Sequence, residues 1–186
     1  GRDHHSFEKL ARGAAGIAGA QADPYRVWLG EGSVEGAPGS GGPLALTASA
    51  EDVALQLTLD NQKPPALQGD HGYSRKGPEP GNASYYYSLT RMAAEGAVTV
   101  RGQTLAVTGL AWMDHEFSTS ALGPEQVGWD WFSIQLDDQT ELMVFQLRRA
   151  DGRPGHRCGR PASRRNPPWT GGSRRRRGRP RAGRRG

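Results

Sequence analysis

The residues best suited to chemistry are concentrated between positions 112 and 132. This segment holds three of the chain's five tryptophans and the ionisable side chains of Asp114, His115, Glu116 and Asp130. Large aromatic side chains around a few convergent ionisable groups are typical of a small-molecule pocket. The segment therefore predicts a site that binds an apolar molecule and transfers protons.

Asp130 is the first candidate for a proton donor. In an extended strand it shares a face with Phe132, Ile134 and Leu136, whereas the tryptophans on either side of it point the other way. Burial beside apolar side chains would raise the pKa of this carboxyl and suit it to general-acid catalysis near neutral pH. An aspartate that only satisfies a hydrogen-bond network in the core is an equally open interpretation.

Further candidates lie on either side of this strand in the sequence. His115 or Asp114 could relay a proton or steer a water molecule, although a lone histidine among apolar neighbours also fits a hydrogen-bonded core residue. Tyr85 and Tyr87 share a face opposite Tyr86, so one set of hydroxyls can reach a cavity while the other packs in the core. We predict that the substrate is bound by Trp112, Trp129, Trp131, Tyr85 and Tyr87.

Short alternating segments predict that antiparallel strands carry these residues. Apolar side chains occupy every second position over residues 52–60, the pattern of a sheet with one buried face. Residues 98–107 and 129–147 each predict a hairpin with a short turn in its middle. The chain is therefore predicted to be all-β, with about six to eight strands in a closed or nearly closed antiparallel barrel or a sandwich.

Charge divides the chain at about residue 151. Residues 151–186 hold thirteen arginines and the single acid Asp151, whereas residues 1–150 hold eleven basic and eighteen acidic residues. We therefore separate a folded domain, residues 1–150, from an Arg/Gly/Pro-rich tail, residues 151–186, which is predicted to be disordered. Such a tail could bind nucleic acid. A GC-rich gene that is read out of frame also encodes Arg, Gly and Pro, and we favour that frameshift origin.

The composition and the residue spacing exclude several other classes of protein and of site. No run reaches the roughly 20 apolar residues of a transmembrane helix, and a lone cysteine, Cys158, excludes an intrachain disulfide. No spacing of histidines and acidic residues matches a metal site, so neither a metal nor a cofactor is predicted. These observations leave an apolar small molecule as the expected partner.

Six short motifs follow one another along the chain. They are Lys63-Pro64-Pro65, Gln68-Gly69-Asp70, Ser74-Arg75-Lys76-Gly77, Gly81-Asn82-Ala83-Ser84-Tyr85-Tyr86-Tyr87-Ser88, Trp112-Met113-Asp114-His115-Glu116 and Gly128-Trp129-Asp130-Trp131-Phe132. Together they resemble the AttH/CrtC-type family, whose members are described as carotenoid 1,2-hydratases (hydroxyneurosporene synthases) or as predicted secreted hydrolases. The resemblance covers about residues 8–149. It implies a lipocalin-like fold of two consecutive β-barrels, of which this chain is expected to be a part truncated at both ends.

The resemblance implies addition of water to a C=C bond of an apolar, isoprenoid-type substrate. Protonating an isolated C=C needs a carboxylic acid that is neutral at the working pH. The carbocation that follows needs electron-rich ring faces and a positioned water. In that reaction Asp130 would supply the proton, and His115 or Asp114 would steer the water. An active protein of this kind would be a hydro-lyase, and we expect the fragment itself to be inactive.

Two alternatives stay open beside the hydratase. The first is a non-catalytic, lipocalin-like binder of apolar ligands, and the second is a secreted hydrolase of unknown substrate, although no Gly-x-Ser-x-Gly signature occurs. The resemblance suggests a bacterial periplasmic, secreted or membrane-associated protein. The sequence by itself assigns no compartment.

Overall fold

The computed structural model describes residues 8–36, 42–118 and 122–162, in which twelve strands form two antiparallel sheets. The strands are β1 (Ala18–Ala22), β2 (Tyr25–Leu29), β3 (Gly32–Gly36), β4 (Leu44–Ala50), β5 (Val53–Asn61), β6 (Ala66–Leu67), β7 (Tyr73–Arg75), β8 (Ala83–Val100), β9 (Gln103–Phe117), β10 (Gln126–Gln135), β11 (Glu141–Arg149) and β12 (Pro154–Ala162). The first sheet holds nine strands and the second holds β10, β11 and β12. Among the described residues there is no helix that could cross a membrane.

The all-β, antiparallel prediction is confirmed. Within the described ranges the two sheets do not join into a closed barrel, so the arrangement is the partial one that was expected rather than a complete cylinder. Both predicted hairpins are present, as β8–β9 and β10–β11. At the turn of the first, Arg101 and Gly102 both have positive φ, which suits the twist of two paired strands.

A β-bulge near the middle of β8 decides which side chains face which sheet. The pairing with β9 shifts between Leu89 and Met92, so Thr90 and Arg91 together occupy the place of one paired residue. Because of the extra residue, Leu89 and Met92 pack in the same core. Thr90 and Arg91 both reach Glu141 on β11.

Two apolar cores lie on opposite faces of the β8–β9 hairpin. The first lies within the nine-stranded sheet and is formed by Leu44, Leu59, Leu89 and Met92. The second joins the hairpin to the second sheet and is formed by Tyr86, Met143, Phe145 and Leu147. Adjacent residues of β8 therefore serve different cores: Tyr86 packs in the second, and Tyr87 packs against the first.

Residues 61–81 are rich in Gly, Pro and polar residues, yet they are partly buried against β8. They contain β6 and β7, which both pair with β8, and the side chains of Gln68 and Ser74 are buried. Gly69 allows the tight path between them, because its φ is +64° and a Cβ there would collide with the backbone of Tyr73. The composition of this segment does not prevent its packing, since backbone pairing does not require an apolar repeat.

The first part of the tail that was predicted to be disordered forms a strand. Pro154–Ala162 pairs with β11 along most of its length as β12. Backbone N–H and C=O groups make this pairing, so a composition without apolar periodicity does not prevent it. The structure thus differs from the predicted tail over β12, whereas residues 163–186 lie outside the described ranges and their interpretation stays a prediction.

A buried ion cluster holds the second sheet against the first. The carboxylate of Glu141 is fully buried and accepts from Lys63 Nζ at 2.6 Å and Arg91 Nε at 2.5 Å. Arg91 also donates to the carbonyl of Leu136 at 2.8 Å, and Lys63 donates to that of Gln139. Because those carbonyls belong to the turn between β10 and β11, the cluster fixes the position of the hairpin that carries the tryptophans.

Candidate functional site

A cavity of about 230 Å³, which we call the inter-sheet pocket, lies between the β8–β9 hairpin and the second sheet. Its apolar walls come from Tyr86, Leu122, Trp129, Trp131, Phe145 and Leu147, and its polar lining from Lys76, Ser84, Glu116 and Ser118. Apolar walls with a few polar groups are typical of ligand pockets, which usually measure about 300–1,000 Å³. The smaller volume suits one end of a long molecule better than the whole of it.

The hydroxyl of Tyr86 is the central polar group of the pocket wall. It accepts a hydrogen bond from Trp131 Nε1 at 3.3 Å and is hydrogen-bonded to the carboxylate of Asp114. Burial, followed by the negative charges of Asp114 and Glu116, raises the pKa of Tyr86 and outweighs the opposite effect of the Trp131 N–H. The phenol therefore keeps its proton at physiological pH.

Three side chains share the carboxylate of Asp114. Ser88 Oγ and Trp112 Nε1 both donate to Oδ1, at 2.6 Å and 2.8 Å, and the Tyr86 hydroxyl completes the set. Gln68 Nε2 in turn donates to Ser88 Oγ at 2.9 Å, and both of those side chains are buried. This chain of hydrogen bonds fixes Asp114 beside Tyr86, although the aspartate itself stays accessible to solvent.

Glu116 brings a second carboxylate to the same face of β9. It accepts from Ser84 Oγ at 2.5 Å and from Lys76 Nζ at 2.5 Å. The ammonium of Lys76 also lies over two pocket rings, 4.4 Å from the centroid of Phe145 and 5.2 Å from that of Tyr86. The pocket thus contains a proton-holding phenol, a paired carboxylate and aromatic faces within one small volume.

The structure brings four of the predicted site residues together. Trp129 and Trp131 line the pocket, and Trp112 and Asp114 are hydrogen-bonded to each other at its edge. The rings of Trp112 and Trp131 meet edge to face, with centroids 6.4 Å apart. As predicted, Asp130 and the two tryptophans lie on opposite faces of β10. The face that carries the tryptophans is turned toward the first sheet.

Asp130 does not line the pocket. Its side chain is 47% exposed on the outer face of β10, where it pairs with Arg148 at 3.7 Å. Phe132 and Ile134, the neighbours predicted to bury it, are exposed as well. The prediction of a desolvated Asp130 is therefore wrong, because alternation defines two faces of a strand without telling which one packs against another sheet.

His115, Tyr85 and Tyr87 lie on the opposite face of the hairpin from Tyr86. The Tyr87 hydroxyl and His115 Nδ1 are 3.0 Å apart, and Tyr87 packs against the first core. Tyr85 is exposed and stacks on Phe117. None of the three lines the inter-sheet pocket as the described residues define it. For His115 this favours the interpretation as a hydrogen-bonded structural residue.

Tyr86, Lys76 and Ser84 had no predicted role in the site, and Glu116 was predicted only as one of the ionisable groups near Trp112. Part of the signal was present, since the three tyrosines were predicted to alternate, and in the hairpin register Tyr86 is directly opposite Glu116. The sequence does not tell which face of the β8–β9 hairpin packs against the second sheet. Lys76 could not be associated with Glu116 from spacing, because forty residues separate them along the chain.

The raised pKa of Tyr86 predicts a late-ionising tyrosine. The folded state holds this proton more tightly than the unfolded chain, whose tyrosines have a pKa of about 10. The resulting stability is complete below that pH and is lost as the pH rises above it. In an alkaline titration followed by ultraviolet absorbance, Tyr86→Phe should remove the last tyrosine to ionise and weaken the fall in stability. Tyr73→Phe, which changes an exposed tyrosine, is the control, and an unaltered last phase in Tyr86→Phe would contradict the prediction.

Comparisons with known proteins show which family the chain resembles. A sequence model of the AttH-like family matches residues 1–166. The crystal structure of an AttH protein from Nitrosomonas europaea is 35% identical with a TM-score of 0.74, over 82% of this chain and 47% of that one. Kievitone hydratase from Nectria haematococca is 18% identical with a TM-score of 0.54, over 69% of this chain and 40% of that one, a likeness that shows the fold alone. A search of curated proteins finds no significant match.

The chain therefore spans about half the length of the solved structures that it matches. The predicted lipocalin-like fold is confirmed by the structural match, and the family match extends beyond the domain boundary predicted at residue 150. The strands that build the inter-sheet pocket all lie within the matched range. On this evidence the chain belongs to the AttH-like family.

Proposed function

We propose that the inter-sheet pocket binds the apolar end of a small molecule, and that Tyr86, Asp114 and Glu116 catalyse addition of water to a C=C bond there. The observation that carries this proposal is the buried Tyr86 hydroxyl in an aromatic pocket, bonded to one carboxylate and close to a second. The resemblance to carotenoid 1,2-hydratases supports the same class of reaction, a hydro-lyase acting on an isoprenoid-type alkene. A structural neighbour is also named a hydratase.

In the resting protein the Tyr86 hydroxyl donates to the Asp114 carboxylate. In the proposed reaction Asp114 first takes up a proton from solvent, and a proton then passes from its carboxyl through Tyr86 to the alkene. The phenol gives its proton to one alkene carbon while it takes another from Asp114, so it never remains as a phenolate, in keeping with its raised pKa. Once Asp114 is protonated, the Tyr86 oxygen can accept from Asp114 and Trp131 together, which leaves its own O–H free to point at the ligand.

The carbocation then forms on the neighbouring carbon. The ring faces of Trp129 and Trp131 border the pocket and can stabilise it. Water attacks the cation and gives a proton to Glu116, whose carboxylate is held by Lys76. One proton leaves Asp114 and one arrives at Glu116, so one molecule of water has been added. Both carboxyls are accessible, and exchange with solvent restores the starting state.

A non-catalytic binder of apolar ligands is the second candidate. The observation that favours it is that the polar groups of the pocket already have partners within the protein: Asp114 has three donors, and Glu116 has Lys76 and Ser84. In such a protein the network would only hold the hairpin in place. The ligand would then bind by apolar burial without being changed.

The mass of the product distinguishes a hydratase from a non-catalytic binder. The sequence alone predicted an inactive fragment, but the residues proposed to act all lie in this chain. We therefore expect the protein, incubated in ¹⁸O-labelled water with an acyclic carotenoid or with kievitone, to bind the ligand with quenching of tryptophan fluorescence and to release a product heavier by one labelled water. Heat-denatured protein is the control for spontaneous hydration. Quenching without a labelled product would support the binder and overturn the hydratase. Absence of both signals would overturn binding of isoprenoid-type ligands altogether.

A further inference from the structure

A second hollow, of about 790 Å³, adjoins the inter-sheet pocket, because Lys76 lines both. Four cationic side chains surround it, Arg75, Lys76, Arg149 and Arg153, and we call it the basic groove. Gln126, which also lines this groove, donates to the main-chain carbonyl of Lys76 at 2.9 Å. Lys76 therefore marks the place where the apolar pocket gives way to a positively charged surface.

The positive charge of the groove is only partly balanced. Arg149 pairs with Glu125 at 2.7 Å and with Asp151 at 3.1 Å, so one cation takes up both carboxylates. Arg153 reaches Asp151 only at 3.9 Å, and its side chain is 82% exposed. Arg75 is exposed as well, and it has no carboxylate partner among the residues that the structure describes. Arg75 and Arg153 thus retain guanidinium N–H donors that a ligand can use.

We propose that the basic groove binds an anionic head group, a carboxylate or a phosphate, of the molecule whose apolar end enters the inter-sheet pocket. This inference rests on the proposed function of the pocket. The forked N–H donors of arginine match the oxygen pairs of both anions. The pocket holds only one end of a long ligand, and the groove begins where that end would emerge. The ligands expected to bind most tightly are therefore amphiphilic anions, such as an unsaturated fatty acid or a prenyl phosphate, whereas a neutral isoprenoid would use the inter-sheet pocket alone.

Three ligands with the same apolar chain test this assignment. Dodecanoate, dodecyl phosphate and dodecanol, each below its micelle concentration, are titrated against the tryptophan fluorescence of the whole chain. We expect at least one anion to bind about tenfold more tightly than the alcohol at low salt, as one charge-assisted contact would give. That advantage should shrink as the ionic strength rises. Comparison of the two anions tells which head group the groove prefers.

Removal of the free guanidinium groups provides the matched test. The double variant Arg75→Ala/Arg153→Ala should lose the advantage of the anions while its affinity for dodecanol stays unchanged. Arg12→Ala, which removes an exposed arginine outside the groove, is the control. Circular dichroism checks that each variant is folded.

The outcomes distinguish the groove from the pocket. Equal affinity for the alcohol and both anions would overturn the inference about the groove and leave the pocket untouched. An advantage that survives in the double variant would also overturn it, because the anion would then bind elsewhere. Failure of all three ligands to change the fluorescence would instead count against the inter-sheet pocket, and with it the proposed function.

Discussion

Asp114→Asn should lower the rate of alkene hydration by roughly 10²–10⁴-fold, the loss typical of a missing general acid. The amide keeps the size of the side chain and can still accept from Ser88 and Trp112, but it has no acidic proton to pass to Tyr86. Tyr86→Phe should have a comparable effect because it removes the relay itself. The measurement is kcat beside the dissociation constant from tryptophan quenching, and we expect ligand binding to persist in both variants.

The control for this experiment is Glu95→Gln, which changes an exposed carboxyl of β8 outside the pocket lining. Asp130→Asn is the informative comparison, since sequence analysis predicted Asp130 as the acid. A large loss of kcat in Asp130→Asn with none in Asp114→Asn would restore that prediction and refute the pocket mechanism. If Asp114→Asn loses stability while the turnover of each folded molecule is unchanged, Asp114 is a structural residue and its catalytic role is refuted.

Glu141→Ala should lower the free energy of unfolding by roughly 3–5 kcal/mol, the cost of leaving buried charge without its partner. The Glu141 carboxylate is fully buried, and the side chains of Lys63 and Arg91 that bind it are each 12% exposed. Without it, two cations remain close together with little access to water. Denaturant unfolding of Glu141→Ala beside Glu95→Ala measures the effect. A loss of about 0–1 kcal/mol, the value of an exposed ion pair, would contradict the prediction.

A triple variant separates charge from packing in this cluster. Lys63→Met/Arg91→Met/Glu141→Leu removes all three charges and keeps apolar bulk, so it should be clearly more stable than Glu141→Ala. If the two variants lose the same stability, unpaired charge is not the cause. The position of the β10–β11 hairpin depends on this cluster, so we also expect Glu141→Ala to weaken ligand binding in the inter-sheet pocket.

The strands could be predicted because their signals are local. The turn at Arg101 and Gly102 is formed by residues next to each other in the chain, and the alternation over residues 52–60 became β5 almost unchanged. The order of the six motifs pointed to the family that the sequence and structure comparisons confirm. Each of these inferences needed only residues close together in the sequence.

The bulge in β8 has no such signal. Its effect is to place Thr90 and Arg91 together against Glu141, about fifty residues away in the sequence. The pairing of β12 is similar, since its backbone binds β11 although its composition indicates disorder. In both cases the partner that stabilises the arrangement is distant in the chain, so no local pattern records it.

The sequence by itself determined that Asp130 and the tryptophans occupy opposite faces of one strand, and that Tyr86 faces away from Tyr85 and Tyr87. Only the tertiary structure decided which of these faces borders the inter-sheet pocket: Tyr86 is buried there, and the two tryptophans of β10 line the pocket while their rings stay partly exposed. The physical reason is that a repeat of two residues is symmetric between the faces of a strand. The burial of Tyr86 in the second core, and with it the hydrogen bond from Trp131, arises only when one sheet packs against another.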